Sequence, residues 1–380
     1  MKKILFIIPG LKTGGTNSSL NSLVNSMSSL ADICVFTLSY HDKNQDYSFE
    51  EKLIKPNATL SLLCTNYKNL RGGNLLLCIT FKVISRLLKI AKFDLYDYYF
   101  RRFTNKIEKE YKPDFVVAYE EGISTQFVSF FTNTPKIAWI HCNYDKYLPP
   151  GLSEEHIYGE FYRIVCVSKY TAGVFSRRYP SFADRTITIY NLVDISRIEA
   201  LSLMDIEDNR FRKDRKVILS VGRFNRVKRF SYIPRIASSL KQQGLLFYWY
   251  IIGPQTTDSD YEDFSKNLIE YDVADCVIWL GPKSNPYPYF RLSDLYVCLS
   301  ESEACPMVFI EASVCKLKVV TTDFPSASEF INDIEGTMMG DISNMDSIIV
   351  NSLSQSKCIN GKDSVLIHND METIKNLFSL

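Results

Sequence analysis

The chain has 380 residues, 46% of them apolar and 23% charged, with a formal net charge of +1. That composition excludes a disordered, collagen-like or coiled-coil chain, and the length admits two or three domains, each able to bury its own core. The small net charge hides an asymmetry, 24 Lys and Arg against 17 Asp and Glu in residues 1–190 and 20 against 26 in residues 191–380, which reflects either an anionic partner of the first half or drift in surface composition.

Residues 4–8 form a continuous apolar run, as in a parallel strand covered on both faces. Gly14 and Gly15 follow, then a helical pattern through Leu20, Leu23, Val24, Met27 and Leu30. Residues 33–38 are the next strand, and residues 41–56 are polar and uninformative. Further short strands fall at 115–118, 137–140, 164–167 and 187–190. A charged, helical linker is expected over 195–215. The pattern then restarts with strands at 217–221, 246–252, 277–280, 295–299 and 318–321. Strands alternating with helices indicate a doubly wound parallel sheet. The fold class is therefore α/β, with two Rossmann-like domains facing a central cleft, residues 1–193 and 194–362. Residues 363–380 are expected to pack back on the first domain as a helix.

The ten cysteines are scattered without a C-x-x-C pair, and several (Cys34, Cys166, Cys298, Cys315) lie in apolar runs as small core residues. A reducing compartment follows. Lys2 and Lys3 lead straight into a strand of five apolar residues, too short for a signal sequence. The apolar segment 75–90 is broken by Lys82, Arg86 and Lys89, so it does not read as a spanning helix. A cytoplasmic protein is expected, soluble or peripheral on the inner face of the plasma membrane.

Ligands of such sheets bind beyond the carboxyl ends of the strands, so chemistry is sought just after them. In LSESEACPMVFIEASVCK, Glu303 and Glu311 stand eight residues apart, with Pro306 expected in the first turn of a helix. The stretch reads either as a capped helix with two solvated glutamates or as a phosphate-binding helix start between two carboxylates. The second suits a nucleotide-sugar. In VGRFNRVKRF, Gly222 precedes Arg223 and Lys228, which form either a solvated basic turn or a clamp on a diphosphate. Gly14 and Gly15 form a plain turn or let a substrate approach the backbone closely. His141, directly after a strand, is a structural hydrogen-bonder or a catalyst. Glu120 and Glu121 are solvated loop residues or contacts to an acceptor hydroxyl, and Ser168 is a weaker candidate on the same side.

The run GRFNRVK, then YIIGP, then ESEACPMVFIEA, then TDFPSASEFI resembles the second domain of family 4 glycosyltransferases, which have the GT-B fold. IPGLKTGGTNSSLNSLV, KIAWIHCNYDKY, VCVSKYTAGVF and ITIYNLVD resemble the first domain of the same family. The resemblance implies a retaining transfer from a nucleoside-diphosphate sugar, a UDP-sugar above all, to a glycan or lipid-linked glycan in bacterial surface-polysaccharide synthesis. It implies that Arg223 and Lys228 hold the diphosphate, Glu303 the sugar hydroxyls and Glu311 the ribose. The backbone of Cys305, Pro306, Met307 and Val308 would approach sugar and phosphate. His141 would meet the donor sugar or the reacting centre, and Gly14 and Gly15 would lie near the diphosphate and acceptor. Family members often have Glu-Gly-Phe-Gly where this chain has Glu303-Ala304-Cys305-Pro306, a departure that bears on which sugar fits. It also leaves open a silent nucleotide-sugar-binding subunit, with a GT-B epimerase or phosphorylase as the alternative enzymes.

Asp258-Ser259-Asp260 has the Asp-x-Asp form of a metal–nucleotide site but reads as a helix cap. With no His/Cys/Asp cluster at metal spacing, neither a metal nor another cofactor is expected, and nucleic acid is not an expected partner. Residues 81–112 carry nine cations. They are either basic amphipathic helices with Tyr96, Tyr98, Tyr99 and Phe100 at an anionic membrane surface, or surface helices whose aromatics belong to the core.

Overall fold

The computed structural model describes residues 1–11, 14–39, 53–56, 60–61, 64, 73–90, 94–149, 151–255, 260–331, 336–355 and 370–380. Most of the polar stretch 41–56, Asp258, Ser259 and residues 363–369 lie outside these. The chain divides into two compact units, one of residues 1–192 and 370–380, the other of residues 193–369.

The first unit holds seven strands: β1 (Lys2–Ile8), β2 (Ala31–Thr37), β3 (Leu53–Ile54), β4 (Phe115–Ala118), β5 (Lys136–Ile140), β6 (Arg163–Cys166) and β7 (Thr186–Thr188). They pair in the order β3-β2-β1-β4-β5-β6-β7, every pair parallel. Ile4 lies opposite Ile33 on one side and Phe115 on the other, so β1 is central. Its apolar run is buried from Ile4 to Ile8, because helices cover both faces of a parallel sheet. The order reverses between β1 and β4, which makes their carboxyl ends the switch point of this sheet.

The C-terminal helix, Met371–Phe378, belongs to this unit. The Phe378 ring meets Phe6 and Phe115 edge-on, with centroids 6.4 and 5.5 Å away. Asp370, just ahead of it, accepts a 2.7 Å bond from the Tyr190 amide.

The segment 81–112 spans two helices, Gly73–Ile90 and Leu95–Tyr111. Phe100 is fully buried on Phe127, and Tyr96 is half-buried against Phe81 and Phe100. Tyr99 is also half-buried, which leaves Tyr98 as the exposed member of the four aromatics. That group is thus mostly core, because the second helix turns its aromatic side to the neighbouring helices Gly73–Ile90 and Ile123–Ser129. Glu108 on the same helix accepts from the amides of Asn133 (2.9 Å) and Thr134 (3.0 Å) and from Thr132 Oγ1 and Asn133 Nδ2 (both 3.2 Å). Burial opposes its charge, but these donors outweigh it and hold the carboxyl below its ordinary value. A depressed carboxylate stabilises the fold above the unfolded-state pKa, and that contribution fades as pH falls through the folded one. Glu108→Gln, with an amide facing four donors, is expected to lose about 1–3 kcal/mol at pH 7. The gap to wild type should shrink in melts near pH 3.

The second unit holds β8 (Lys216–Val221), β9 (Phe247–Ile252), β10 (Val277–Gly281), β11 (Leu295–Cys298), β12 (Val319–Thr322) and β13 (Met338–Gly340), in the order β10-β9-β8-β11-β12-β13 and again all parallel. Sequence reading misses β13, a three-residue strand with no apolar run to mark it. Every residue of β9 is buried, four of them consecutive aromatics, Phe247-Tyr248-Trp249-Tyr250. The expected helical linker is helical only over Ile195–Ser202. The rest is turns and irregular chain pinned through Arg210, whose guanidinium donates to the carbonyls of Trp279 (3.2 Å) and Leu280 (3.0 Å) and pairs with Asp208. Lys283 completes that cluster, 2.7 Å from Asp208. The switch point of this sheet is at the carboxyl ends of β8 and β11.

Candidate active site

The loop leaving β8 is held from below and open above. Phe224 points into the core, its ring edge-on to Phe230, Tyr261, Phe264 and Trp279, and its amide donates to the Pro254 carbonyl at 3.0 Å. Arg223, its neighbour, is exposed. The Lys228 amide donates to the carbonyl and the side-chain oxygen of Asn225, which closes a tight turn. The Lys228 side chain then returns across Gly222, where a Cβ would stand 3.2 Å from Lys228 Cε and 3.3 Å from Phe230 Cζ. Glycine at 222 is the space that lysine lies in.

The loop leaving β11 meets it. The Glu301 amide donates to the Val227 carbonyl at 2.8 Å, joining the two loops by their backbones. Glu303 Oε1 accepts from Lys228 Nζ at 2.5 Å and from Ser300 Oγ at 2.6 Å. The loop is fixed in turn by Thr322 Oγ1 donating to the Ser300 carbonyl (2.5 Å) and Ser326 Oγ to the Glu303 carbonyl (2.6 Å). Burial pulls the Lys228 ammonium down, but the Glu303 carboxylate overrides this, and the net direction is upward. Lys228 therefore stays charged at neutral pH, and the nearby charge of Arg223 only slightly opposes it.

Pro306 stands at the N-cap of the helix Met307–Val314, one place earlier than the first-turn position read from the sequence. No side chain caps this helix, so its start is open to an anion. Glu311, one turn in, accepts from the Tyr287 hydroxyl at 3.2 Å. Burial pushes its carboxyl up to about 7, against the opposing pull of Tyr287 and the Lys228 charge. A raised carboxyl pKa means that the native state holds a proton the unfolded chain has released. Ionising Glu311 thus costs stability as pH rises from about 4.5 to about 7. Glu311→Gln is expected to melt higher than wild type at pH 8 by on the order of 1–2 kcal/mol, an allowance made for its partial exposure, and to match it near pH 5. Lower stability of the variant at pH 8 would refute the assignment.

The switch point of the first sheet brings together other candidates. Gly14 has an extended backbone, and a Cβ there would meet nothing within 4 Å, so no protein contact demands glycine at this place. Gly15 begins the helix Gly15–Met27. Ser19 on that helix shares a 2.9 Å bond with the Tyr119 hydroxyl and donates to Asn191 at 2.8 Å, all three buried. The Tyr119 ring lies 4.7 Å from the His141 ring. His141 Nε2 is buried with no hydrogen-bond partner among the described residues, and burial pushes the imidazole down to about 3, so it is neutral at physiological pH. The His141 amide donates to Glu121 at 2.9 Å. Glu121 is thus a half-buried carboxyl held by that amide and raised by desolvation. Glu120 is half-buried beside it. Ser168 is fully buried and caps the helix Lys169–Arg178 in a reciprocal box with Thr171, which gives its hydroxyl a structural task. Sequence reasoning missed Ser300, Ser326, Tyr287, Tyr119 and Ser19. Nothing local marks a serine or tyrosine whose only distinction is its partner. Among the described residues no group of three or more His, Cys, Asp or Glu could hold a metal ion.

Residues 204–349 match the family described as glycosyl transferases group 1. The matched residues all lie in the second unit. An uncharacterized glycosyltransferase of Methanocaldococcus jannaschii is 23% identical over 263 residues, 64% of this chain and 60% of that protein. The N-acetylgalactosamine-N,N'-diacetylbacillosaminyl-diphospho-undecaprenol 4-alpha-N-acetylgalactosaminyltransferase of Campylobacter jejuni is 30% identical over 161 residues, 42% of this chain and 41% of that one. The chain thus spans about half the length of these curated relatives. Among solved structures, Anabaena HepE in complex with UDP and glucose has a TM-score of 0.71 at 14% identity, with all of both chains covered. A Staphylococcus aureus TarM mutant in complex with UDP and sugar ligands reaches 0.73 at 16%, with all of both chains covered. The likeness shows the fold, two Rossmann-like parallel-sheet units of the GT-B class.

Proposed function

We propose that this protein is a retaining glycosyltransferase that moves a sugar from a nucleoside-diphosphate sugar, a UDP-sugar, to a glycan or lipid-linked glycan acceptor. The observation that carries the reading is the Lys228–Glu303 pair at the switch point of the second sheet, with Arg223 and Glu311 coupled to it through charge. The Anabaena structure with UDP and glucose, and the diphospho-undecaprenol substrate in the Campylobacter relative's name, support donor and acceptor of these classes.

The chemistry follows from the charges. The acceptor oxygen bonds to the anomeric carbon on the face from which the nucleotide leaves, and the bond from that carbon to the phosphate oxygen breaks. The departing diphosphate takes the acceptor's proton. Lys228 and Arg223 neutralise the charge growing on the diphosphate, with the open helix start at Met307 adding its amides. Those cations do the work that a divalent ion does in other transferases. Glu303, fixed by Ser300, orients the sugar hydroxyls, and Glu311 receives the ribose hydroxyls. Cys305, Pro306, Met307 and Val308 bring backbone to sugar and phosphate. His141, neutral at physiological pH, meets the donor sugar as a hydrogen-bond partner, while Gly14, Gly15, Glu120 and Glu121 lie on the acceptor side. With a lipid-linked acceptor, the protein works on the cytoplasmic side, at the inner face of the membrane, in surface-polysaccharide synthesis.

A melting screen of UDP-, GDP- and ADP-sugars is the first test, because a ligand of the folded state raises the melting temperature. Incubation of the stabilising donor with lipid-linked and soluble glycan acceptors follows. Free UDP should appear only when an acceptor is present. Binding without turnover across the panel would show a silent binding subunit instead.

A further inference from the structure

The helix Gly73–Ile90 leaves an aliphatic stripe uncovered. Ile79, Val83, Leu87 and Ile90 follow each other at intervals of four, four and three residues, which sets them on one side of a helix, and they are 46%, 50%, 61% and 82% exposed. Ile84 beside them is 44% exposed. The opposite side is occupied: Ser85 is buried, Phe81 and Leu88 are half-buried, and the Phe81 ring lies against Tyr96 and Tyr99. A row of large exposed aliphatics on one helix differs from the single exposed apolar residues common on any surface.

The charges on the same element say what covers the row. Lys82, Arg86 and Lys89 recur along the helix at the same spacing, and the helix has no Asp or Glu. Residues 81–112 hold nine cations against four acids, and the acids are engaged in part, Glu108 by its four donors, Asp94 by the helix cap at Tyr96 and Asp97, and Glu110 by Lys106 at 3.6 Å. Among the described residues no helix is long and apolar enough to cross a membrane. A helix whose sequence combines an aliphatic stripe with cations and no acid matches the layering of acyl chains beneath anionic phosphates.

We propose that the helix Gly73–Ile90 lies flat on an anionic lipid surface, with Ile79, Val83, Leu87 and Ile90 among the acyl chains and the cations at the headgroups. The docking element is thus this aliphatic face, not the aromatics of the helix after it, most of which the core takes. The inference needs no substrate and stands apart from the catalytic reading.

Co-sedimentation of the full chain with vesicles tests it, using phosphatidylcholine alone and an equal mixture with phosphatidylglycerol. Binding to the mixed vesicles is expected at low salt, with a loss of about ten-fold or more in either 0.5 M salt or pure phosphatidylcholine. The double variant V83E/L87E should lose binding by a similar factor, with an unchanged melting temperature and unchanged transfer to a soluble acceptor. R86E should weaken binding and flatten its salt dependence. Wild-type protein that stays in the supernatant with mixed vesicles would overturn the proposal, as would V83E/L87E that binds like wild type. A dimer in solution that V83E/L87E converts to a monomer, without vesicle binding, would show that a second copy covers the stripe.

Discussion

Lys228→Ala is expected to lower kcat/KM for sugar transfer by on the order of 10²-fold or more, the loss seen when a group stabilising transition-state charge is removed. The side chain is a fifth exposed and Glu303 keeps its bond from Ser300, so the melting temperature should change little, as expected for an ion pair of this exposure. Glu303→Ala should cause a loss of the same order, through the sugar rather than the diphosphate. The two residues share one 2.5 Å contact, so the double variant should lose less than the product of the single losses. Initial rates with saturating acceptor give all three values. Near-normal turnover in both single variants would remove the enzymatic reading of this site and leave the architecture standing.

Gly253→Ala is expected to break the second unit without touching any charged group. Gly253 directly follows β9 at a φ of +147°, in a region that residues with a side chain rarely adopt. A Cβ there would stand 1.7 Å from the Gly222 carbonyl oxygen and 2.6 Å from its carbon. The obstacle is backbone, and the backbone is held: the Gly222 amide donates to the Ile252 carbonyl at 2.9 Å and the Gly253 amide to the Gly281 carbonyl at 3.1 Å. Relief requires β8 and β9 to part where the Lys228 loop starts. A loss of at least about 3 kcal/mol is expected, which lowers the melting temperature of a unit this size by roughly 6–12 °C. Donor binding should weaken together with stability. A variant that melts within about 2 °C of wild type would show that the close approach of the two strands is not needed.

The order of strands and helices was legible because buried parallel strands are near-continuous apolar runs, as in residues 4–8 and Phe247–Ile252. Short elements were not: β13 has three partly exposed residues, and the segment 203–215 is charged enough to look helical while Arg210 ties it, as turns and irregular chain, to Trp279 and Leu280. The site was legible where charge and glycine meet at a strand end. Arg223, Lys228, Glu303 and Glu311 were read from spacing, and the structure brings them into one coupled group. Ser168 shows the limit of such reading. It also follows a strand, but its hydroxyl caps a helix.

The sequence by itself determined the two parallel-sheet units and the residue types that could grip a diphosphate, since periodicity and charge are properties of neighbours along the chain. Only the tertiary structure decided that Lys228 meets Glu303 across 75 positions, that Ser300 and Tyr287 hold the two glutamates, and that Phe100 belongs to the core while Ile79 and Leu87 face outward. Those outcomes depend on which elements pack together. A hydroxyl, an ammonium or an apolar side chain acquires its role from the partner that folding brings within a few ångströms, and no spacing along the chain encodes that partner.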